Sequence, residues 1–384
     1  MMEYISLNKI CDVRDGTHDS PRYVLSGYPL VTSKNIVDGK LDLSTVNYLS
    51  QEDYDKINAR SKVDIGDIIM PMIGTIGNPF LVNEDPNYAI KNVALIKFPN
   101  KNISNRFIWY FLKSGAFKKY VSEKNKGGTQ KFLSLGDIRN MNVPLVSLDN
   151  QLEIVEKLDS ISQIIDKKRL ELNALDRLIK ARFVELLQPV FDQDNTEALI
   201  NLVDERRPIT YGILKPGTNV EGGCPVIRVK DFSRGLVSVD DVLHTSQDIY
   251  DKYLRSTLDE GDIIISIGGT IGRVAIIPHE FVGANITQHT ARIALKDKRF
   301  LFYYRGLLES DIMQRWMKER VLGIAQPSMN LGDVKKMPIP KVDESAKKEL
   351  NDFVKQVDKS KSVVQKSLDA AQMLFDSLMQ KYFG

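Results

Sequence analysis

The sequence predicts an α+β protein made of two similar domains in tandem, each followed by one long helix built for a coiled coil. Three observations predict it: a long internal repeat, two heptad seams free of Gly and Pro, and short β-rich runs that alternate with turns and brief helices inside each repeat. Gly66-Asp67-Ile68-Ile69 followed by Gly74-Thr75-Ile76-Gly77 returns as Gly261-Asp262-Ile263-Ile264 followed by Gly269-Thr270-Ile271-Gly272, an offset of 195 with eight of twelve positions identical. Tyr54-Asp55-Lys56 returns as Tyr250-Asp251-Lys252, Leu135-Gly136-Asp137 as Leu331-Gly332-Asp333, and Met141 and Pro144 as Met337 and Pro340, all at an offset of 196. Solenoid repeats run roughly 20 to 50 residues, so a period this long means duplicated domains. A chain of 384 residues also exceeds what one hydrophobic core ordinarily supports.

The first domain occupies residues 1–147, with strands expected at Gly66 to Met72 and Val93 to Phe98 and helix near 104 to 121. Its sheet should be largely antiparallel. A helix follows over 148–187, where Ile154, Leu158, Ile161, Ile165, Lys168, Leu172, Leu175, Ile179, Arg182 and Leu186 step by four and three. Ser147 suits its N-cap and Pro189 its end. At 1.5 Å per residue it spans roughly 58 Å, longer than a small domain needs, which suits a spacer. After a linker over 188–197, the second domain fills 198–341, with strands at Pro225 to Val229 and Asp262 to Ile267 and helix near 299 to 319. A second helix over 342–384, opened by Asp343, repeats the seam from Leu350 to Tyr382, every position 196 residues after its counterpart.

Composition excludes more than it assigns. Apolar residues at 42% and charged residues at 27% describe a soluble globular chain. No run approaches the roughly 20 apolar residues that cross a bilayer, and the first residues lack a basic then apolar leader, so a cytoplasmic location without membrane partners is expected. The two cysteines, Cys11 and Cys224, read as buried free thiols. There is no phosphate loop, no His-Glu-x-x-His, no nucleophile elbow and no Cys-x-x-Cys, so no catalytic residue, metal site or resident cofactor is expected. Asp85-Pro86-Asn87-Tyr88 approximates the Asp/Asn-Pro-Pro-Tyr/Phe signature of amino-methyltransferases, but its third residue is Asn and no glycine-rich cofactor loop precedes it. A surface turn accounts for it. A self-contained DNA adenine methyltransferase and a coiled-coil scaffold are the competing readings.

A net charge of +3 is too small to argue for nucleic acid, but the charge is segregated. Between Arg106 and Arg139, eight basic residues face only Glu123 and Asp137. Between Arg292 and Lys336, ten face five. Such stretches suit a phosphate-binding face. The first ends in the loop Gly127-Gly128-Thr129-Gln130-Lys131 and the second in Gly323-Ile324-Ala325-Gln326-Pro327-Ser328, which makes Lys126, Thr129, Gln130, Lys131, Gln326, Ser328 and Asn330 candidate DNA contacts. The repeated Gly-Thr-Ile-Gly is either a backbone clamp, involving Thr75, Thr270 and Arg273, or a tight turn between strands. The two copies should read different bases where they differ. Thr32, Ser33 and Asn35 around Lys34 correspond to Arg228, Val229 and Asp231 around Lys230. Arg228 suits guanine O6 and N7, while Asn92 and Gln288, also 196 apart, suit adenine N6 and N7. Any of these side chains could instead satisfy a local turn.

With these features assembled, the chain resembles the HsdS family, the specificity subunits of type I restriction-modification enzymes, over nearly its full length. The resemblance rests on the Gly-Asp-Ile-Ile and Gly-Thr-Ile-Gly blocks, the Gly-Thr-Gln loop, and Val143-Pro144-Leu145-Val146-Ser147-Leu148 leading into Asn150-Gln151-Leu152-Glu153-Ile154-Val155-Glu156-Lys157-Leu158. It implies two target-recognition domains that each read half of a split site in double-stranded DNA, and two helices that pair antiparallel and bind two methyltransferase subunits. Those partners would methylate adenine N6 with S-adenosylmethionine, and restriction subunits using ATP with Mg could join. Pro340-Lys341-Val342-Asp343-Glu344-Ser345 departs from the family's usual start of the second helix.

Overall fold

The computed structural model describes residues 3–74, 76–124, 132–233, 235–237, 241–323 and 327–384. It divides into two compact units, residues 1–167 with 368–384 and residues 168–367, each holding one globular repeat and part of both long helices.

In the first unit a four-stranded antiparallel sheet runs in the order Asp12–Asp15, Val93–Lys97, Ile68–Pro71, Phe80–Leu81. Successive side chains on a strand point to opposite faces. Ile68, Met70, Ala94 and Ile96 therefore pack with Phe107, Phe111 and Phe117 of the helices Asn105–Phe111 and Gly115–Lys124, while Ile69, Val93 and Leu95 pack with Val31 and Ile90 behind them. Both faces are covered, so these strands read as unbroken apolar runs rather than as alternation. Val31 and Ile90 belong to a second sheet, Asn47–Leu49, Tyr28–Val31, Ala89–Ile90, whose last pair is parallel.

The second unit repeats this plan. Its sheets run Thr210–Tyr211, Thr290–Ile293, Ile263–Ser266, Val274–Ile276 and Leu243–Thr245, Cys224–Ile227, Asn285–Ile286, again with a short parallel pair, Ile227 beside Ile286. At the base of each domain, entering and leaving strands pair antiparallel: Glu3–Ser6 with Asn142–Leu145, and Thr196–Ala198 with Pro338–Pro340. The repeated Gly-Asp block is a staple. Asp67 accepts the Asp64 N–H at 2.8 Å and pairs with Lys97 at 2.5 Å, while Asp262 accepts the Asp259 N–H at 2.9 Å and is gripped by both terminal nitrogens of Arg207 at 2.6 and 2.7 Å.

The long helices run Leu148–Asp192 and Glu344–Phe383. Both expected N-caps are in place: Ser147 Oγ accepts from the Asn150 N–H at 3.4 Å and Asp343 from the Ala346 N–H at 2.7 Å. The expected stop at Pro189 is not where the first helix ends. Pro189 lies in its last turn, where the missing N–H removes a single backbone bond and the chain continues to Asp192. The stop is made by Asp194 at φ +52°, whose N–H binds Phe191 O at 3.0 Å while Asn195 N–H reaches back to Val190 O at 3.2 Å, a Schellman closure. Helix and strand thus fill most of the expected linker over 188–197.

Within each unit the helices run antiparallel. In the first, Ile154, Val155 and Leu158 share a core with Met379 and Phe383, and Phe107 lies 5.1 Å from the Phe383 ring. In the second, Ile179, Phe183 and Leu187 share one with Leu350, Val354 and Val357, Lys361 pairs with Asp176 at 2.7 Å, and Arg182 with Glu349 at 2.6 Å. Gln151 is buried and ties the first helix to its domain, accepting the Ser104 N–H at 2.8 Å and donating to Val146 O at 2.9 Å. The second helix start departs from that sequence, and Asn351 takes the role, accepting from the N–H groups of Phe302 and Tyr303 at 3.1 and 3.3 Å. Cys11 is buried, its thiol pushed up to about 12 by burial, whereas Cys224 is only half-buried, at the start of a strand whose far end, Val226–Ile227, is the buried part. Among the described residues no helix is long and apolar enough to cross a membrane.

Candidate nucleic-acid interface

In the second domain the parallel pair Ile227 and Ile286 delivers two chain segments to one place. Arg228 leaves the first strand and Thr287 and Gln288 leave the second, with Thr287 N–H on Ile227 O at 3.3 Å and Gln288 N–H on Ile213 O at 2.9 Å. The turn Gly268 to Gly272, with Gly269 and Gly272 at φ +71° and +82°, closes a third side, and Pro327 and Ser328 a fourth. The result is a cleft of about 800 Å³ into which Arg228, Lys230, Thr270, Arg273, Gln288 and Ser328 all converge. These six candidates are spread over a hundred residues of sequence.

Each is held differently. Arg228 lays Nε and Nη2 against the Asp231 carboxylate at 2.9 and 3.0 Å and also donates from Nη2 to Asp241 O. Lys230 Nζ meets Asp241 at 2.7 Å on the surface. Arg273 donates from Nη1 to Val229 O at 3.0 Å, and its N–H binds Ser266 Oγ at 2.9 Å. Ser328 is paired in both directions with Leu322 through the backbone, at 2.8 and 3.0 Å, leaving its exposed side chain at the rim. His289, which sequence reasoning missed, also lines the cleft, with Nε2 3.4 Å from Gln288 Nε2. Its signal was a length difference: Val93 follows Asn92 directly at the start of its strand, whereas His289 intervenes between Gln288 and Thr290.

Three candidates are engaged in local caps, two of them buried. Asp231 is buried and caps the turn Val229–Asp231 by accepting the Arg228 N–H at 2.8 Å. Asn35 is its counterpart, buried, accepting from the Thr32 N–H and hydroxyl at 2.9 Å each and donating to Asp42 O at 3.2 Å. Asn330 caps the helix Leu331–Lys335 through the Asp333 N–H at 2.9 Å. All three are local staples that shape the loops.

In the first domain Thr32 and half-buried Ser33 precede an exposed Lys34, and Asn92 stands beside them because Lys91 N–H binds Val31 O at 2.9 Å. Gly74 and Gly77, at φ +78° and +95°, make the same turn as Gly269 and Gly272, as a tight connection between strands requires. Thr75, Lys126, Thr129, Gln130, Lys131 and Gln326 lie outside the described residues.

The basic stretches are not continuous surfaces. Arg106 pairs with Asp159, Lys124 with Asp137 at 3.2 Å, and Arg139 donates to Val13 O at 2.8 Å, while Lys118 and Lys119 stay exposed. Arg292 and Arg305 are buried. Arg292 binds the carbonyls of Arg255, Thr257 and Pro208, and Arg305 pairs with Asp358 at 2.8 Å and Glu309 at 3.5 Å. Burial pushes the Glu309 carboxyl up, against the pull of Arg305. The methyltransferase-like tetrapeptide does not assemble, since Asp85 is exposed while the Tyr88 ring packs in the core with Val31 and Ile90.

The family model for the type I restriction modification DNA specificity domain matches residues 2–175 and again 208–370. The EcoBI type I restriction enzyme specificity subunit of Escherichia coli is 25% identical over 389 residues, covering 93% of this chain and 79% of that protein. The crystal structure of a type I restriction-modification S subunit from M. genitalium superposes with a TM-score of 0.54 at 14% identity, over 100% of this chain and 96% of that one. A structure addressing complex assembly and conformational transition of the type I R-M system gives 0.54 at 16% identity, over 99% and 97%. At these identities the structural likeness speaks for the fold.

Proposed function

The chain belongs to the type I restriction modification DNA specificity family, and from that premise we propose that it reads a split DNA site, one half per domain, without chemistry of its own. Its long helices serve as the seat for two methyltransferase subunits, which bring S-adenosylmethionine and methylate adenine N6. Restriction subunits using ATP with Mg complete the complex where they are present. The work is done in the cytoplasm, where the DNA is.

The observation that carries this reading is the second-domain cleft, where three cations, Arg228, Lys230 and Arg273, stand beside Gln288. Cations neutralise phosphates and supply affinity, and a side-chain amide or a guanidinium nitrogen can read a base edge in the major groove. Asn92, at the corresponding end of the first domain's parallel pair, has a different reach from Gln288, as two unlike half-sites require.

The test is sequencing of N6-methyladenine in cells that carry this chain with its methyltransferase. A split, asymmetric motif is expected. A continuous motif, or methyl transfer by the purified chain alone, would overturn the assignment.

A further inference from the structure

The first domain holds a polar cluster that the second lacks. Asp15, at the end of its strand, is nearly buried and accepts from Arg60 on the helix Gln51–Ser61 and from Nε2 of His18 at 2.7 Å. The other ring nitrogen of His18, Nδ1, lies 2.8 Å from Oδ1 of Asn92. Asn92 is itself fixed, at φ +54° with its N–H on Thr17 O at 3.2 Å. Among the described residues its amide nitrogen has no hydrogen-bond partner. The matching places 196 residues on hold Tyr211, Leu214, Ser256 and Gln288, which cannot form this cluster.

We propose that His18 is a positioning residue for base recognition by the first domain: Asp15 fixes the ring, and the ring decides which end of the Asn92 amide faces DNA. This rests on the reading that Asn92 meets a base edge. When the imidazole is charged, both nitrogens donate, so Asn92 turns Oδ1 to the ring and its NH2 outward, toward acceptors such as purine N7 or guanine O6. When the ring is neutral and Nε2–H still donates to Asp15, Nδ1 becomes an acceptor. The amide then turns over to donate to it, and its carbonyl faces outward, toward donors such as adenine N6 or cytosine N4. The charged groups facing the ring are Asp15 and Arg60. Lys91, next to Asn92, turns away to Ser20 Oγ at 2.8 Å. The hydrogen bond to Asp15, and then that to Asn92, hold the imidazole pKa above its ordinary value against the opposition of burial and Arg60, which favours the donor-outward state.

The test selects duplexes from a library randomised over both half-sites, using the full chain in complex with its methyltransferase subunits, at pH 6 and pH 9. The variants are His18→Gln and Asn92→Gly, glycine being chosen because it tolerates φ +54°. Wild type should change its base preference at one position of one half-site by roughly tenfold between the two pH values, a fold-change of the size one base contact supports. His18→Gln should abolish that response and leave the other half-site unchanged, which also shows that the variant is folded. A wild-type preference independent of pH, or a response that persists in His18→Gln, overturns the proposal. If Asn92→Gly alters the preference while His18→Gln does not, only the role of His18 falls. If Asn92→Gly alters nothing, the reading of Asn92 as a base contact falls with it.

Discussion

Replacing Lys230 and Arg273 together by alanine should flatten the salt dependence of DNA binding while leaving base preference intact. Lys230 is free to exchange partners, because its 2.7 Å pair with Asp241 joins side chains that are 59% and 83% exposed, and such pairs contribute little. Arg273 is held along the cleft wall by its bond to Val229 O, and among the described residues its Nη2 and Nε have no partner, which suits them to meet a phosphate oxygen. Each phosphate contact adds about 0.9 to the slope of log affinity against log salt, so losing two lowers that slope by about 1.8. Over a fourfold rise in salt, from roughly 50 to 200 mM, wild type should lose about twelvefold more affinity than the double variant. The assay is fluorescence anisotropy of the chain, in complex with its methyltransferase subunits, on a duplex carrying its site and on a scrambled duplex, across a KCl series. Phosphate contacts carry no sequence information, so both duplexes should show the same decrement. An unchanged slope would refute the phosphate role, and a loss confined to the cognate duplex would mean that these side chains touch bases.

Arg228→Ala should weaken discrimination at one base pair of one half-site by about 1 kcal/mol, the low end for a base contact, because Asp231 and Asp241 already hold Nε and Nη2. Equal weakening on every sequence, measured by the same anisotropy, would place Arg228 on phosphate instead. Gly212→Ala would set a Cβ 1.8 Å from Ile286 O and push the segment that delivers Gln288 away from Ile213, to which the Gln288 N–H is bound. Methylation mapping should then lose one half-site and keep the other, and an unaltered motif would show that the seating of Gln288 against Ile213 does not shape the cleft. Asp358→Ala strips Arg305, 1% exposed, of its closest carboxylate and should cost about 3 to 5 kcal/mol of second-unit stability in urea denaturation. A loss under about 1 kcal/mol would mean that Glu309 suffices.

The duplication and the helices were legible because they are written as spacing: an offset of 196 and a seam of fours and threes survive without knowledge of any contact. The helix end was misread because a proline is conspicuous, whereas the left-handed Asp194 that stops the helix shows only in the backbone. The cleft was legible in part. Six candidates from the second domain meet there, since differences between copies mark the loops that leave the strand ends. Asn35, Asp231 and Asn330 are engaged in turns for a local reason: each sits three residues from a capping partner, at Thr32, Arg228 and Asp333. A polar side chain at that spacing in a turn serves the backbone first. His18 was invisible because its partners, Asp15, Arg60 and Asn92, meet only after three separate segments have folded together.

The strand pairs at the base of each domain bear on how such a protein can change what it reads. Glu3–Ser6 lies against Asn142–Leu145, and Thr196–Ala198 against Pro338–Pro340, so the chain enters and leaves each domain side by side. Each domain is therefore a closed loop hung from a two-stranded neck, the arrangement in which insertion and replacement are best tolerated. Genetic exchange with its endpoints in the two necks would swap everything between them, cleft and loops together, and leave the hydrogen bonds of the neck intact. Because the two copies keep the same spacing of neck to helix, recombination could also copy one domain into the place of the other. A chain altered in that way would read the same half-site twice, a new recognition sequence reached in a single event.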